Sequence, residues 1–269
     1  MDWSTIFGFI IGISVVSYGL FESKSWGAFL NLHGFILVVG GTIAAIMINT
    51  PVPLFLQALR AGLSLLIKPK GLSPEAAIRM ISALSEKARR TGNMSIESDG
   101  QDVGDDGFLQ MAIDACLTTS DEKLAREILS QKIRQIRARH TEAGNIFRTA
   151  SILFPMFGLV GTLIGIVTVL KNISNPKNVG SAMAVALSTA FFGILAANLV
   201  CVPVAGKLRL RSLEEAMVKE IVAEGVLKIF FTSEIPTQIT MYLESFLRAK
   251  FDSGELSAGA QGSQQKAAT

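Results

Sequence analysis

Few polar side chains interrupt the apolar stretches of this chain, and three of them, Thr162, Ser188 and Thr189, are hydroxyls set among small residues. A hydroxyl oxygen in such a setting can ligate a cation that is shedding its water. It can equally bond a carbonyl one turn earlier on its own helix, and the residues alone leave both readings open. No Asp, Glu, Lys or Arg occurs in 3–21, 31–57, 149–170 or 178–206. Membrane proton relays keep a carboxylate at such depths because a buried ionisable group is costly and retained for a use. If this chain moves ions, another polypeptide must bring the carboxylate. His33 is the one imidazole in these stretches, and its place near an end fits a wet interface as well as a relay. Paired carboxylates, Cys or His clusters and a Gly-rich phosphate loop are absent from the sequence pattern. The expectation is therefore a protein that is not an enzyme and has no metal site.

The stretches carrying the hydroxyls are rich in small residues. Gly158, Gly161 and Gly165 line one, the last two at the four-residue spacing that lets helices approach closely. Ala182, Ala186 and Ala190 repeat that spacing in the next, and Gly193 follows them. Such faces predict tight helix contact, within one chain or between copies. Pro155 and Pro203 fall at matching depths of the two stretches. Proline removes a backbone hydrogen bond and bends a helix, so the pair reads either as a hinge or as a device that shapes the span ends.

Composition says what elements must position these residues. Of 269 residues, 49% are hydrophobic and 17% charged, with a mean hydropathy of +0.44. Soluble domains carry about 25% charge, so a purely soluble fold and intrinsic disorder are both disfavoured, and two cysteines allow at most one bridge, too few for a disulfide scaffold. Each of the four stretches is long enough to span a bilayer, which takes roughly 17–25 residues. Pro51 and Pro53 end the second. The first lacks a basic leader and a small-x-small cleavage site, so it reads as a retained span.

Fourteen of the 25 Lys and Arg residues lie between Pro51 and Arg148 and eight from Lys207 onward, leaving only Lys24, Lys171 and Lys177 for the short connections. Lys and Arg gather on the cytoplasmic side. The middle segment, the tail and both termini are thus expected inside, and the connections at Glu22–Leu30 and Lys171–Val179 outside. The net charge of +3 then reflects orientation. With 7% aromatics there is no basic and aromatic patch for nucleic acid. The expected fold is all-α, a polytopic membrane protein with four transmembrane helices and a helical cytoplasmic domain. A transmembrane hairpin occupies 1–50, a helical cytoplasmic domain 51–148, a second hairpin 149–206, cytoplasmic helices 207–251, and a tail too polar to order itself 252–269.

Within the cytoplasmic parts, Ser73-Pro74-Glu75 is a helix start, with the helix running to about Arg90. Gly92 and the polar stretch Ser98–Gly107 read as a stop and a loop. A second start at Ser120-Asp121-Glu122 leads into Leu129, Ile133, Ile136, His140, Ala143 and Phe147, one helical stripe. No breaker separates it from the third span, so one long helix is expected, with Arg134, Arg137 and Arg139 solvated. Lys207–Phe231 is amphipathic through Leu213, Met217, Ile221 and Leu227 or Lys228, with Glu215 and Lys219 four apart. It should pack back on the long helix. A short helix opens at Ser233-Glu234-Ile235-Pro236 and ends near Phe251.

The chain resembles the MotA/PomA family of flagellar stator A subunits, within the wider group that includes TolQ and ExbB. The resemblance rests on the run from Phe154 to Gly165, the run from Met183 to Asn198 followed by Pro203, and Val38-Val-Gly-Gly-Thr42. It covers nearly the whole chain. It implies a ring of five A subunits around a dimer of single-span B-type (MotB/PomB-like) chains, each bringing a membrane aspartate. It implies H+ or Na+ as the coupling ion, no cofactor, and a rotor protein, FliG, engaged by cytoplasmic charges. The family's arginine and glutamate, in an Arg-x-x-Gly-x-x-Ser-x-Glu pattern, match Arg89 and Glu97, with Arg90 alongside. Its proline pair matches Pro155 and Pro203, its third-span threonine Thr162, and its packing glycines Gly158, Gly161, Gly165 and Gly193. Sodium-type relatives carry Thr-Thr where this chain has Thr189-Ala190, and a funnel aspartate where it has Asn31, so the cation stays open. TolQ and ExbB have three spans, and the extra hairpin favours the flagellar type. The other reading is an energiser of a different envelope machine, of the TolQ/ExbB or gliding kind.

Overall fold

The structure, a computed structural model, describes residues 3–22, 31–65, 71–100, 107–172, 174, 176–232 and 234–247. Among these the chain is helical: α1 (Trp3–Glu22), α2 (Leu32–Asn49), α3 (Val52–Ser64), α4 (Pro74–Thr91), a 3-10 turn (Asn93–Gly100), α5 (Phe108–Thr118), α6 (Glu122–Lys171), α7 (Pro176–Leu195), a π turn (Ala196–Cys201) and α8 (Val202–Phe231). A last helix, α9, covers 236–247. Most of the connection at Glu22–Leu30, residues 101–106 of the polar loop, the start at Ser233, the end near Phe251 and the tail 252–269 lie outside the described residues. Leu32–Asn49, Glu122–Lys171 and Val179–Phe231 are long and apolar enough to cross a membrane. The 20-residue α1 is a further apolar helix.

The chain divides into two compact units, Met1–Pro69 with Arg139–Arg211, and Lys70–Ala138 with Ser212–Thr269. In the first, Asn31 opens α2 by accepting hydrogen bonds from the backbone N–H of His33 at 3.0 Å and Gly34 at 3.3 Å. Asn is a strong N-cap because its oxygen satisfies the unpaired N–H groups of the first turn. Thr50 is extended, as a residue before proline must be, and Pro51 stops α2 where the sequence placed the stop. The apolar run does not lapse there. It continues as the separate helix α3, which the reading of Asn31–Gln57 as one stretch did not distinguish. Ala58 of α3 joins a small core with Ile46, Ala143, Ile146, Ala150 and Cys201.

In the second unit Ser73 Oγ accepts from Ala76 N–H at 3.2 Å, and α4 ends at Thr91, one residue past Arg90, capped by Gly92, whose φ of 92° is a left-handed value glycine tolerates. Asp121 Oδ1 accepts from Lys123 N–H at 2.9 Å and starts α6. The core joins Ile81, Ile96, Leu109, Ile113, Leu129, Ile221, Leu227, Ile239 and Leu243, all under 2% exposed. It includes Ile133 and Ile136 of α6 with Val218, Val222 and Val226 of α8, so α8 packs back on the long helix as its pattern required. Lys219 bonds Glu215 at 2.8 Å with its side chain 3% exposed, and its ammonium stands 5.7 Å from the Phe108 ring centroid.

Two further features depart from the sequence reading. Helix α5, opened by Gly107 at φ 74°, fills a segment for which no helix was expected, and its Leu109 and Ile113 are fully buried. Leu213, counted in the apolar stripe of α8, is 40% exposed, because a strict four-residue step drifts off the 3.6-residue face over several turns. The long helix itself runs unbroken for 50 residues, with Arg134, Arg137 and Arg139 exposed.

Candidate functional site

The small residues of α6 and α7 meet as the spacing suggested, and within one chain. A Cβ built on Gly158 would stand 2.9 Å from the Thr189 carbonyl oxygen and 3.2 Å from Ala190 Cα. One on Gly193 would stand 2.5 Å from the Phe154 carbonyl oxygen and 3.2 Å from Gly158 Cα. Gly161 faces Thr189 and Gly165 faces Ala186, both closer than any real Cβ could come. The helices therefore touch backbone to backbone, which is how membrane helices gain contact when no hydrophobic drive pushes them together.

Helix α2 supplies a third wall. Gly34 lies under Thr189 and Gly41 under Phe157, while Gly34, Val38, Thr42 and Ile46 form its buried edge at four-residue steps. Sequence reasoning gave Gly34 and Gly41 no packing role, although Val38-Val-Gly-Gly-Thr42 was singled out. The four-residue step from Gly34 through Val38 and Thr42 was the available signal. Phe35 closes on Phe192 edge to face at 5.8 Å.

The hydroxyls divide into two kinds. Ser188 and Thr189 are fully buried and donate to the carbonyls of Val185 at 3.0 Å and Ala186 at 2.8 Å. Thr189 is clamped between Gly34 and Gly161 and acts as a wedge that sets the spacing of three helices. Thr162 is half-buried and donates to the Leu159 carbonyl at 2.6 Å. A hydroxyl that gives its proton to its own helix keeps its lone pairs, and Thr162 alone of the three holds them where a neighbouring group can reach. Ala190 is half-buried and contributes backbone to the seam rather than a ligand. Asn31 spends its side-chain oxygen on the cap of α2.

Pro155 lies inside α6 without ending it, and the preceding Phe154 carbonyl is the group that Gly193 accommodates. Around Pro203 the backbone adapts differently. The Val202 N–H bonds the Ala197 carbonyl five residues earlier, so the helix admits one extra residue in the turn before the proline. A π turn of this kind is a local weak point that marks functional places in helices.

The charged candidates Arg89, Arg90 and Glu97 are all exposed, at a corner whose geometry accounts for the motif. Gly92 supplies the positive φ. Ser95 Oγ donates to the Gly92 carbonyl at 2.7 Å and lies 2.7 Å from Thr91 Oγ1, and fully buried Ile96 anchors the turn. The Gly and Ser of the pattern thus fix the corner, and the Arg and Glu are presented from either side of it. Nearby in the sequence, burial pushes the Cys116 thiol up to about 11, which keeps it neutral and inert. Among the described residues no three His, Cys, Asp or Glu side chains group as a metal site.

Comparison with known proteins agrees with this architecture. The sequence profile of the MotA/TolQ/ExbB proton channel family matches residues 101–221. The chain is similar to chemotaxis protein PomA of Vibrio alginolyticus, 32% identical over 92% of this chain and 96% of that one. It is 30% identical to motility protein A of Borreliella burgdorferi over 97% of this chain and 100% of that protein. Its fold superposes on the flagellar MotAB stator complex from Bacillus subtilis with a TM-score of 0.81 at 27% identity, covering 93% of this chain and 99% of that one. The C. jejuni MotAB structure gives 0.83 at 21% identity, over 91% of this chain and 96% of that one, a likeness of fold.

Proposed function

The chain belongs to the MotA/TolQ/ExbB proton channel family, on the side of motility protein A and PomA, and from that premise we propose that it is the A subunit of a flagellar stator. In this role it couples inward flow of H+ or Na+ to rotation of a ring of A subunits, five by family likeness, around a dimer of B-type chains. The observation that carries the reading is the missing carboxylate. Four apolar stretches contain no Asp or Glu, so the group that loads and releases the ion is the partner's membrane aspartate. The chain sits in the bacterial inner membrane with four spans and both termini in the cytoplasm.

The residues take roles that follow from their chemistry. Thr162, half-buried with free lone pairs, lines the path along which the ion reaches and leaves the partner's carboxylate. Ser188 and Thr189 support that path by holding α7 in register, and Ala190 lets the backbone approach. Pro155 and the π turn before Pro203 are the places where α6 and α8 yield as the partner's charge is neutralised and restored. Arg89 and Glu97, with Arg90 beside them, pass torque to the rotor protein FliG through charge pairs.

Two sets of variants test this. Pro203→Leu and Thr162→Val, measured in motile cells as swimming speed and in vesicles as cation flux, each lower both more than tenfold. Wild-type values for both variants would overturn the mechanism. Arg89→Glu and Glu97→Lys leave flux intact and abolish torque. If both reversals are silent in cells that depend on this chain, its output is a different envelope machine of the TolQ/ExbB or gliding kind.

A further inference from the structure

We propose that α3 lies in the membrane interface and binds anionic phospholipid, its outer apolar edge among the acyl chains and its basic flank at the headgroup phosphates. Helix α3 has two apolar faces, and the chain covers one. Ala58 is buried, Leu54, Phe55 and Ala61 pack against the core of Ala143, Ile146 and Ala150, and Gly62 lies under the Phe147 ring. The other face carries Val52, Leu56, Leu59 and Leu63 at steps of four, three and four, each 45–61% exposed. At 100° per residue these four fall within one narrow stripe. Arg60, Gln57 and Ser64, all exposed, lie on the flank beside it.

Three further observations favour lipid as the occupant. Helix α3 begins three residues after α2 ends, and α2 is long and apolar enough to span, so the stripe starts at a bilayer boundary. Charge is one-sided. No Asp or Glu occurs between Glu22 and Glu75, whereas Arg60, Lys68 and Lys70 do. Arg60 is the one ionisable side chain of α3; a cation beside a stripe of Leu is what a membrane-surface helix presents, and anionic headgroups attract such a cation. The far end of the helix is also closed. Arg211 donates to the carbonyls of Ser64 and Leu65 at 3.0 Å each, satisfying groups a helix end would otherwise leave to water. A second copy of the chain would have to bring both an apolar surface for the stripe and an acid for Arg60, whereas a phospholipid carries acyl chain and phosphate together.

The inference goes beyond the stator reading and rests only on the spans. It is tested on the full chain co-purified with its single-span partner, in liposomes of phosphatidylglycerol and phosphatidylcholine. Spin labels go at 56, 59 and 63, at Gln57, and at Ile48, which is 89% exposed on α2, in a Cys116→Ser, Cys201→Ala background. Labels at 56, 59 and 63 are expected to collide with oxygen and to be shielded from a water-soluble nickel complex, with the label at 57 open to nickel. Arg60→Gln is expected to lower the preference for phosphatidylglycerol over phosphatidylcholine about fivefold, as the loss of one interfacial cation implies. Labels at 56, 59 and 63 shielded from both reagents would mean a second copy covers the stripe, and labels open to nickel would mean water does. Either overturns the inference, and Ile48 reading as lipid-embedded in the same sample keeps the spans themselves out of question.

Discussion

The glycine seam between α6 and α7 and the core around Ile113 are both tightly packed, and they are packed by opposite means. Around Ile113 the contact is made by long aliphatic side chains from α4, α5, α6, α8 and α9, each withdrawn from water. Along the seam the side chains are small: Gly158, Gly165 and Gly193 meet backbone atoms of the facing helix, and Gly161 closes on the Thr189 side chain. The difference follows from the solvent. In water each buried Leu or Ile contributes roughly 1.5–3 kcal/mol. In lipid a leucine gains nothing by leaving the acyl chains, so contact comes from van der Waals approach, and small residues allow it. The same contrast appears outside: Leu159, Leu163, Ile166 and Leu170 of α6 are 52–62% exposed, an arrangement water would not tolerate over so long a stretch. One region is therefore sensitive to removing atoms and the other to adding them.

That contrast can be broken by substitution. Ile113→Ala deletes a fully buried side chain in the water-facing unit and is expected to cost about 2–5 kcal/mol, read as a fall in the unfolding midpoint of the purified protein. Gly193→Ala adds a single methyl against a backbone oxygen that cannot rotate away, and about 1–3 kcal/mol of overpacking follows, with cation flux lost because α6 and α7 no longer close. Gly12→Ala sharpens the point. Its methyl would meet only Leu199 Cδ1, the far end of a flexible side chain, so flux and stability should stay near wild type. If Gly193→Ala and Gly12→Ala behave alike, the seam is not limited by backbone. A small effect is expected at Arg126, which bonds Glu122 at 3.0 Å and also pairs with Glu224. At 44% side-chain exposure such a pair is worth about 0.2–1 kcal/mol, and Arg126→Ala should move the midpoint by no more than that.

The sequence disclosed some of these features and concealed others for definite reasons. The apolar stretches and the 50-residue α6 were legible because a bilayer imposes one simple demand, a long run without charge, and because nothing between Glu122 and Lys171 breaks a helix except Pro155. Close contact at Gly161 and Gly165 was legible from spacing. The division of the hydroxyls was not, since Thr162 and Thr189 have the same chemistry and differ only in which way their helices turn them. Helix α3 was hidden because Pro51 interrupts an apolar run without changing its character. Helix α5 was hidden because eleven residues between loop signals are too few to display a period. The π turn has no signature beyond the proline that follows it, being one extra residue of backbone. At the corner of Gly92 and Ser95 the pattern was visible, but its hydrogen bonds were needed to separate the residues that build the corner from those displayed on it.

The central claim is that this chain provides the path and the moving shell while another polypeptide provides the titrating group. The direct measurement is cation uptake into liposomes under an imposed membrane potential, for the A chain alone, for the A chain with its single-span partner, and for the complex with the partner's membrane aspartate changed to asparagine. The account predicts uptake from the intact complex only, at least tenfold above the other two. Comparable uptake by the A chain alone would contradict it, since that would require a carrier group within apolar stretches that include no carboxylate.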